Sequence, residues 1–484
     1  MSVGRKAAHG VAWNMLFGVG SRVIQLIGTL IVARIVVPDD YGVVMTASIV
    51  VITASAFTSF SFGQYIIAKR AGPELAIQAA VVHVALGVVA SLVVWLLRGW
   101  IGDLVGAPAM GQYIVGYAVA NLVIDRLRYV PERLIMRALR FRTLAMINGA
   151  GDLAFTGTVI ASAYAYGAWA FMFAALARSV VTSTLFIAAA PRAEWLVKLR
   201  VRVADVRDML GYGLPIMVSI ITDNATRKWD NIVVERLFGP GVMGAYNYAY
   251  SLAETPINNV AEHIGEVLMP SFSLMEDGQR ERAAVRAASL MGLVVSPLGV
   301  GLGAVAPTLA NAVFNHKWGP LVGPMLVILS VMTVFRPMPW SAIAYAQAVQ
   351  RTRVLMWSSF LRAALVLSLV AIGGQLWGPL GACIGAGVGY AAHSVWTVIA
   401  ASRVTPLPAG AYLIGVARPL LPCIPMFLAV IGVAYALDDA IPVVSLIVQV
   451  AVGAVVYIAA AFVLVRDGVD ELLRLGRDAI RRQR

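Results

Sequence analysis

The sequence contains few charged residues for its length. Only 13% of its 484 residues are Asp, Glu, Lys or Arg, whereas about 25% is usual in soluble globular proteins. Hydrophobic residues account for 60% of the chain, and the mean hydropathy is +0.80. This composition excludes an ordinary soluble protein and predicts a polytopic membrane protein.

Cysteine is almost absent, and clusters of reactive residues are missing as well. Cys383 and Cys423 each lie inside an apolar run, which excludes a disulfide framework or a Cys-based metal site. The histidines lie in separate segments, so we expect neither a metal nor a cofactor. The sequence has no GxxxxGK[ST] phosphate-binding loop, which excludes a built-in ATP motor. No set of catalytic residues emerges, and we expect a protein that is not an enzyme.

Long apolar runs are the feature that the sequence has in abundance. Runs of about 20 residues predict roughly 14 transmembrane helices, which we number as spans. They lie near residues 11–37, 42–68, 75–97, 108–127, 143–165, 168–190, 208–236, 241–269, 284–308, 320–347, 353–375, 378–400, 411–436 and 442–465. Because the connections are short, no separate soluble domain is expected.

Lys and Arg are concentrated in alternate connections between these spans. One such connection contains Lys69 and Arg70, and a later one contains Arg351 and Arg353. By the positive-inside rule, both termini lie in the cytoplasm, which requires an even number of spans. The net charge of +13 is therefore assigned to topology and to contact with anionic membrane lipids. A nucleic-acid partner is not expected, since no separate basic domain exists.

Three short motifs occur twice in the same order along the chain. The pairs are RIVVPDDYG at 34–42 with RLFGPGVMG at 236–244, RFR at 140–142 with RTR at 351–353, and YG at 166–167 with WG at 377–378. Each copy falls at the same place in the pattern of spans, which predicts that a block of six spans is duplicated. Because six is even, the two copies have the same orientation in the membrane, as in parallel-repeat transporters.

The duplication gives the expected domain organisation of an all-α polytopic membrane protein. We expect an N-terminal lobe of spans 1–6 at 1–200 and a C-terminal lobe of spans 7–12 at 201–403. Spans 13 and 14, at 404–465, lie outside the duplication, and a basic cytoplasmic tail follows at 466–484.

Three stretches resemble a known family of membrane transporters. GTLIVARIVVPDDYGVVMTASIVV at 28–51, PERLIMRALRFRTLA at 131–145 and LMPSFSLMEDGQRER at 268–282 are similar to the polysaccharide-transport branch of the MOP superfamily. The resemblance covers essentially the whole chain. It implies two six-helix lobes around a central cavity that work by alternating access.

The same resemblance implies a substrate and a location. The substrate is a polyprenyl-diphosphate-linked oligosaccharide, such as an O-antigen, capsule or exopolysaccharide repeat unit. It is moved from the cytoplasmic to the periplasmic leaflet of the bacterial inner membrane. The polysaccharide polymerase machinery is an expected partner. The motifs identify the branch and do not identify the sugar.

Basic residues inside the spans are the candidates for substrate binding. A charge in the hydrocarbon region costs about 2.5–3.5 kcal/mol on insertion scales, so such side chains face a cavity or a partner. Guanidinium groups match phosphate oxygens bidentately. We therefore expect a cavity for the diphosphate and sugar lined by Arg22, Gln25, Arg178, Arg227, Lys228, Arg336 and Arg362. The alternative is an internal ion-pair network, with Asp223 on Arg227 and Lys228 on Asp230 or its neighbours.

Acidic residues in spans 7 and 8 are the candidates for ion coupling. A carboxyl that takes up a proton or a sodium ion inside a span links transport to an ion gradient. The candidates are Asp223, Asp230, Glu254 and Glu262. The alternative for Glu262, near the cytoplasmic end of span 8, is pairing with arginines of the adjacent loop.

Two other functions are compatible with a multi-span chain. A small-molecule or cation antiporter of the same superfamily typically has 12 spans and a cavity dominated by acids. A membrane polysaccharide polymerase or ligase usually has a large outer loop with catalytic Arg or His, and no such loop exists here. A half-to-half duplication is also unexpected for that class of enzyme.

Overall fold

The computed structural model describes the chain from residue 28 almost to its C-terminus. The described residues are 28, 31–32 and 34–483, with gaps at 70–71, 139, 201, 274, 277, 315–316 and 352. Within these ranges every regular element is a helix and no strand occurs, which confirms the all-α fold class. Arg22 and Gln25 lie outside the described residues.

The chain divides into two compact units between Gly244 and Ala245. The helices of the first unit are α1 Pro38–Phe57, α2 Phe62–Ala68, α3 Pro73–Leu96, α4 Arg98–Val105, α5 Gly111–Ala118, α6 Asp125–Arg137, α7 Phe141–Tyr166, α8 Trp169–Ala189, α9 Val203–Asn224 and α10 Asp230–Phe238. A π-helical segment, Val119–Ile124, joins α5 to α6, and a second, Ala225–Trp229, joins α9 to α10. Short 3₁₀ turns lie at Pro108–Met110 and Arg192–Glu194.

Helix α11, Pro240–Ser273, contains the division between the two units near its start. The later helices are α12 Gln279–Val313, α13 Gly319–Met332, α14 Trp340–Ala348, α15 Arg353–Val404, α16 Ala409–Ala417, α17 Cys423–Ala436, α18 Pro442–Leu464 and α19 Arg466–Gln483. The 3₁₀ turns Thr333–Phe335 and Arg418–Leu420 interrupt spans 10 and 13. The lobe boundary at residue 200, which rests on the sequence repeat, stays a prediction.

The predicted spans that fall in the described ranges coincide with these helices. Nine helical segments of the described chain are long and apolar enough to cross a membrane. Proline occupies a first-turn position of α1, α3 and α18, where its missing N–H has no helical partner to lose. The chain is therefore a multi-pass membrane protein, and the total of 14 spans stays a prediction.

The two copies of the aromatic-glycine motif have matching backbone geometry. Gly167 ends α7 with φ +53°, and Gly378 separates the two halves of α15 with φ +68°. Positive φ is the left-handed region, which only glycine enters without steric cost. Helices α7 and α15 likewise begin within the RFR and RTR copies, at Phe141 and Arg353. The repeat in the sequence is therefore also a repeat of local structure.

The two copies of the Arg–Pro–Gly motif contact each other. Pro38 and Pro240 are the first residues of α1 and α11, and each is followed four residues later by a glycine. A Cβ added at Gly42 would overlap the backbone carbonyl of Pro240, and one added at Gly244 would lie 2.6 Å from the carbonyl oxygen of Pro38. The starts of α1 and α11 therefore cross with their backbones in close contact.

Spans 13 and 14 pack on α12 in the second unit. Tyr457 of α18 donates a hydrogen bond from its hydroxyl to the carbonyl oxygen of Leu293, at 2.7 Å. Gln449 of the same helix donates to Thr308 Oγ1 at 2.9 Å. The expected basic tail is helix α19, and its Val469 joins the apolar cluster of Leu293 and Cys423. The last two spans and the start of the tail are thus attached to span 9.

Candidate functional site

Span 7 contains a polar segment with a widened helical turn. Asp223 ends α9, and the π-helical segment Ala225–Trp229 follows it. Arg227 Nε lies 3.0 Å from Asp223 Oδ2, and both side chains remain 39–47% exposed. The first ion pair of the alternative reading is therefore present, but it lies on an accessible face. Widened turns of this kind are frequent at functional sites.

The two residues that follow differ in their surroundings. Lys228 is half-buried and has no ion-pair partner among the described residues. Asp230 is fully buried and accepts hydrogen bonds from the backbone N–H and the Nδ2 of Asn231 at 2.9 and 3.0 Å. Asp230 thus belongs to a buried polar cluster, whereas Lys228 and the ion pair of Arg227 with Asp223 lie at the accessible face of the helix.

A polar cavity of about 300 Å³ lies within the first unit. Its walls come from α1, α3, the first π-helical segment, α6 and α9. Each of these five elements contributes a polar residue to the lining, namely Ser55, His83, Asn121, Arg126 and Asn224. Asn224 follows Asp223 in the polar segment of span 7, so this part of the segment faces a cavity.

Arg126 is buried in the wall of this cavity, with only 2% of its surface exposed. Its Nη2 donates to Thr58 Oγ1 at 2.5 Å and to the carbonyl oxygen of Ser55 at 3.3 Å. Its Nη1 donates to the carbonyl oxygen of Thr58 at 3.1 Å and lies 3.3 Å from His83 Nδ1. These carbonyls end helix α1, where a positive charge is favoured by the helix dipole. Among the described residues, Arg126 has no carboxylate partner.

Arg128 forms ion pairs with both acidic residues of the cavity wall, Asp125 and Glu132. Arg128 Nε lies 3.1 Å from Asp125 Oδ1, and Arg128 Nη1 lies 3.0 Å from Glu132 Oε2. The guanidinium of Arg128 also stacks over Phe186. The acids of the wall are thus engaged with Arg128, and the charge of Arg126 is left for another partner.

In the second unit the structure brings two predicted site residues together. Arg336 forms an ion pair with Glu254, and their side chains are 5% and 22% exposed. Asn258 Nδ2 donates to Glu254 Oε1 at 2.6 Å. The Arg336 guanidinium lies 5.4 Å from the ring centre of Tyr390, whose hydroxyl is 2.9 Å from that of Tyr250. Glu254 and Arg336 are 82 positions apart in the sequence, and the fold makes them one polar cluster.

The remaining candidates lie in separate places. Arg178 Nη2 is 2.9 Å from Asp152 Oδ1, which joins α8 to α7. Arg362 lies half-buried on the first half of α15. In the second half of α15, His393 Nε2 is 2.8 Å from Ser358 Oγ. Glu262 lies in α11, and its side chain is outside the described part.

Sequence reasoning missed Arg126 and Glu235. Arg126 stands at the start of an arginine-rich stretch near the end of span 4, but it lies in the buried series Leu122, Arg126, Val130 and Leu134. That four-residue spacing is visible in the sequence and indicates an inward-facing position. Glu235 is 1% exposed, accepts a hydrogen bond from Thr46 Oγ1 at 3.2 Å, and its Oε1 has no partner in the described structure.

Two curated relatives match the chain over most of its length. The chain is 26% identical over 395 residues to the lipopolysaccharide biosynthesis protein WzxC of Escherichia coli (strain K12), covering 80% of this chain and 78% of that protein. It is 24% identical over 497 residues to the succinoglycan biosynthesis transport protein ExoT of Rhizobium meliloti (strain 1021), covering 98% and 96%.

Solved structures share the fold at low sequence identity. The lipid II flippase MurJ, in an inward closed conformation, superimposes with a TM-score of 0.78 at 13% identity, covering 94% of this chain and 99% of that chain. An inward-facing multidrug resistance MATE family transporter of the MOP superfamily gives a TM-score of 0.60 at 17% identity, covering 78% and 95%. The MurJ-like fold is therefore shared over nearly the whole chain.

The family model fits the N-terminal and middle parts of the sequence. The model described as polysaccharide biosynthesis protein matches residues 31–323, which is more than half of the chain. This range includes the polar cavity of the first unit and the polar segment of span 7. The chain belongs to the polysaccharide biosynthesis protein family of membrane proteins.

Proposed function

We propose that the protein is a flippase for lipid-linked oligosaccharides. It moves a polyprenyl-diphosphate-linked repeat unit from the cytoplasmic to the periplasmic leaflet of the bacterial inner membrane, and both termini lie in the cytoplasm. The names of WzxC and ExoT and the lipid II flippase fold support this assignment. The polymerase machinery that consumes the repeat unit is its expected partner.

The observation that carries the proposal is positive charge inside the spans. Arg227 and Lys228 lie in the π-helical segment of span 7 with accessible side chains. Arg126 lies in a polar cavity and has no carboxylate partner among the described residues. An arginine without a carboxylate partner in a cavity wall attracts a diphosphate and repels a cationic drug. The antiporter alternative is therefore the weaker one.

The Glu254–Arg336 pair is proposed to take part in ion coupling. A coupling ion bound by Glu254 displaces the buried guanidinium of Arg336, which then needs another partner. Such a change alters the stability of the polar cluster around Tyr250 and Tyr390, because an unpaired buried charge is costly. The pair thus links ion binding to the packing of the second unit.

A complementation experiment tests the role of span 7. Arg227→Ala combined with Lys228→Ala is expected to reduce polysaccharide export at least tenfold in a strain lacking the native gene, with normal amounts of protein in the membrane. Arg403→Ala is the matched control, since Arg403 is exposed at the end of α15. Export at the wild-type level by the double variant rules out these two residues as substrate contacts.

A further inference from the structure

Two buried polar atoms without hydrogen-bond partners in the described structure belong to side chains that line the cavity of the first unit. Arg126 Nε, a hydrogen-bond donor, and Asn224 Oδ1, an acceptor, are both buried and have no hydrogen-bond partner in the described structure. Both residues line the same cavity of about 300 Å³. Because buried polar groups are nearly always hydrogen-bonded, these two side chains are where a bound polar molecule completes the hydrogen bonding of the cavity wall.

The two orphan atoms specify complementary chemistry in the ligand. Arg126 Nε–H needs an acceptor, and its charge favours an anionic one because charge-assisted bonds are the stronger kind. Asn224 Oδ1 needs a donor, which a phosphate diester oxygen cannot provide and a sugar hydroxyl can. One molecule that offers both groups side by side is a glycosyl phosphate. The cavity volume lies at the small end of the range for ligand pockets, about 300–1,000 Å³.

The backbone around the cavity is irregular on two sides. The π-helical segment Val119–Ile124 carries Asn121 in the wall, and the segment Ala225–Trp229 begins directly after Asn224. Single π-helical turns are frequent at functional sites, and two of them border this cavity. The acids of the wall, Asp125 and Glu132, are held by Arg128.

We propose that this cavity binds the glycosyl phosphate part of the substrate, with Arg126 on the phosphate and Asn224 on a hydroxyl of the adjoining sugar. The site rests on the proposed flippase function and adds a specificity determinant to it. Asn224 distinguishes a sugar that has a hydroxyl donor at this position from one that lacks it. Arg126 provides affinity for any sugar, since it contacts the phosphate that all such substrates share.

Asn224→Leu gives the sharpest test, because stability and binding are expected to change differently. The substitution removes an unsatisfied buried oxygen, so the melting temperature of the purified protein in detergent stays equal or rises. Binding of lipid-linked oligosaccharide, extracted from a strain that lacks this protein, is expected to weaken about tenfold in lipid nanodiscs. Asn148→Leu, at an exposed position of α7, is the matched control and leaves binding unchanged.

Arg126→Lys provides a second variant with a separate readout. Lys keeps the positive charge but has no Nε–H at this depth and loses the fork geometry. We expect at least tenfold weaker binding of the oligosaccharide, and also weaker binding of the glycosyl diphosphate released from it by mild hydrolysis. Because Arg126 also binds carbonyls of Ser55 and Thr58, only variant protein that retains a cooperative melting transition is compared.

The outcomes separate this site from the general function. If the deletion strain accumulates no lipid-linked oligosaccharide, the proposed function is wrong. If the oligosaccharide accumulates and binds to wild type, but Asn224→Leu and Arg126→Lys bind it equally well, the cavity is only a water-filled space and the site assignment fails alone. Asn224 is proposed to bind a hydroxyl of the sugar next to the phosphate. If Asn224→Leu alone weakens binding of a substrate whose first sugar lacks that hydroxyl, the assignment is also contradicted.

Discussion

The backbone of Pro240 lies against the Cα of Gly42, and Pro38 lies against Gly244 in the corresponding contact. The four residues are the Pro and Gly positions of the repeated motif. The motif therefore marks the crossing of α1 and α11.

Alanine at either glycine of this crossing is expected to destabilise the protein. In Gly42→Ala and Gly244→Ala, the new methyl group forces the two helix starts apart, and overpacking of this kind typically costs about 1–3 kcal/mol. Gly157→Ala is the control, because nothing lies within 4 Å of a Cβ at Gly157 in α7. Thermal unfolding in detergent measures the difference, and equal melting temperatures for all three variants contradict the crossing.

Replacing one partner of the Glu254–Arg336 ion pair is expected to lower the unfolding free energy more than replacing both partners together. Glu254→Gln or Arg336→Met alone leaves the other partner buried without its counter-charge, which typically costs about 3–5 kcal/mol. The double variant Glu254→Gln with Arg336→Met recovers much of this loss. Unfolding free energies of the three variants give the coupling, and additive effects indicate that the two side chains do not interact.

An exposed ion pair supplies the comparison for that measurement. Arg466 Nε lies 3.8 Å from Asp470 Oδ2 in α19, and the two side chains are 78% and 48% exposed. Exposed pairs contribute little because water screens them. We expect Arg466→Met to leave the unfolding free energy nearly unchanged.

The non-helical backbone at Trp377 and Gly378 inside α15 is expected to require glycine at position 378. Gly378→Ala places a side chain at φ +68° and ψ -158°, a backbone region that essentially only glycine enters, at a cost of about 1–3 kcal/mol for a residue with a Cβ. Gly432→Ala, in the middle of α17 with nothing within 4 Å of an added Cβ, is expected to gain up to about 1 kcal/mol from helix propensity. Opposite shifts in melting temperature confirm the assignment, and shifts of the same sign contradict it.

Helix positions were predictable from the sequence, because apolar run length is a direct signal of membrane spans. The repeat was predictable as well, since Gly167 and Gly378 keep the same backbone role at both places. The short connection predicted between spans 11 and 12 is present, because Trp377 and Gly378 have non-helical backbone angles. Gly385 in the second half of α15 lies against the backbone of Leu369 in the first half, so the chain reverses at this connection.

The candidate site was predictable only in part. Polar residues of span 7 were visible because a charge inside an apolar run stands out. The pairing of Glu254 with Arg336 was not, since it joins residues of different spans and a single sequence contains no signal for that contact. Arg126 was missed because several arginines occur in the same stretch, and composition alone does not show which of them is buried.

The central claim is that the protein transfers lipid-linked oligosaccharide between leaflets. Purified protein is reconstituted into liposomes with the oligosaccharide extracted from the deletion strain, and an externally added lectin measures the accessible fraction over time. In protein-free liposomes, only the outward-facing half binds lectin. We predict that with the protein the accessible fraction rises toward completion, whereas a fraction identical to that of protein-free liposomes would contradict the claim.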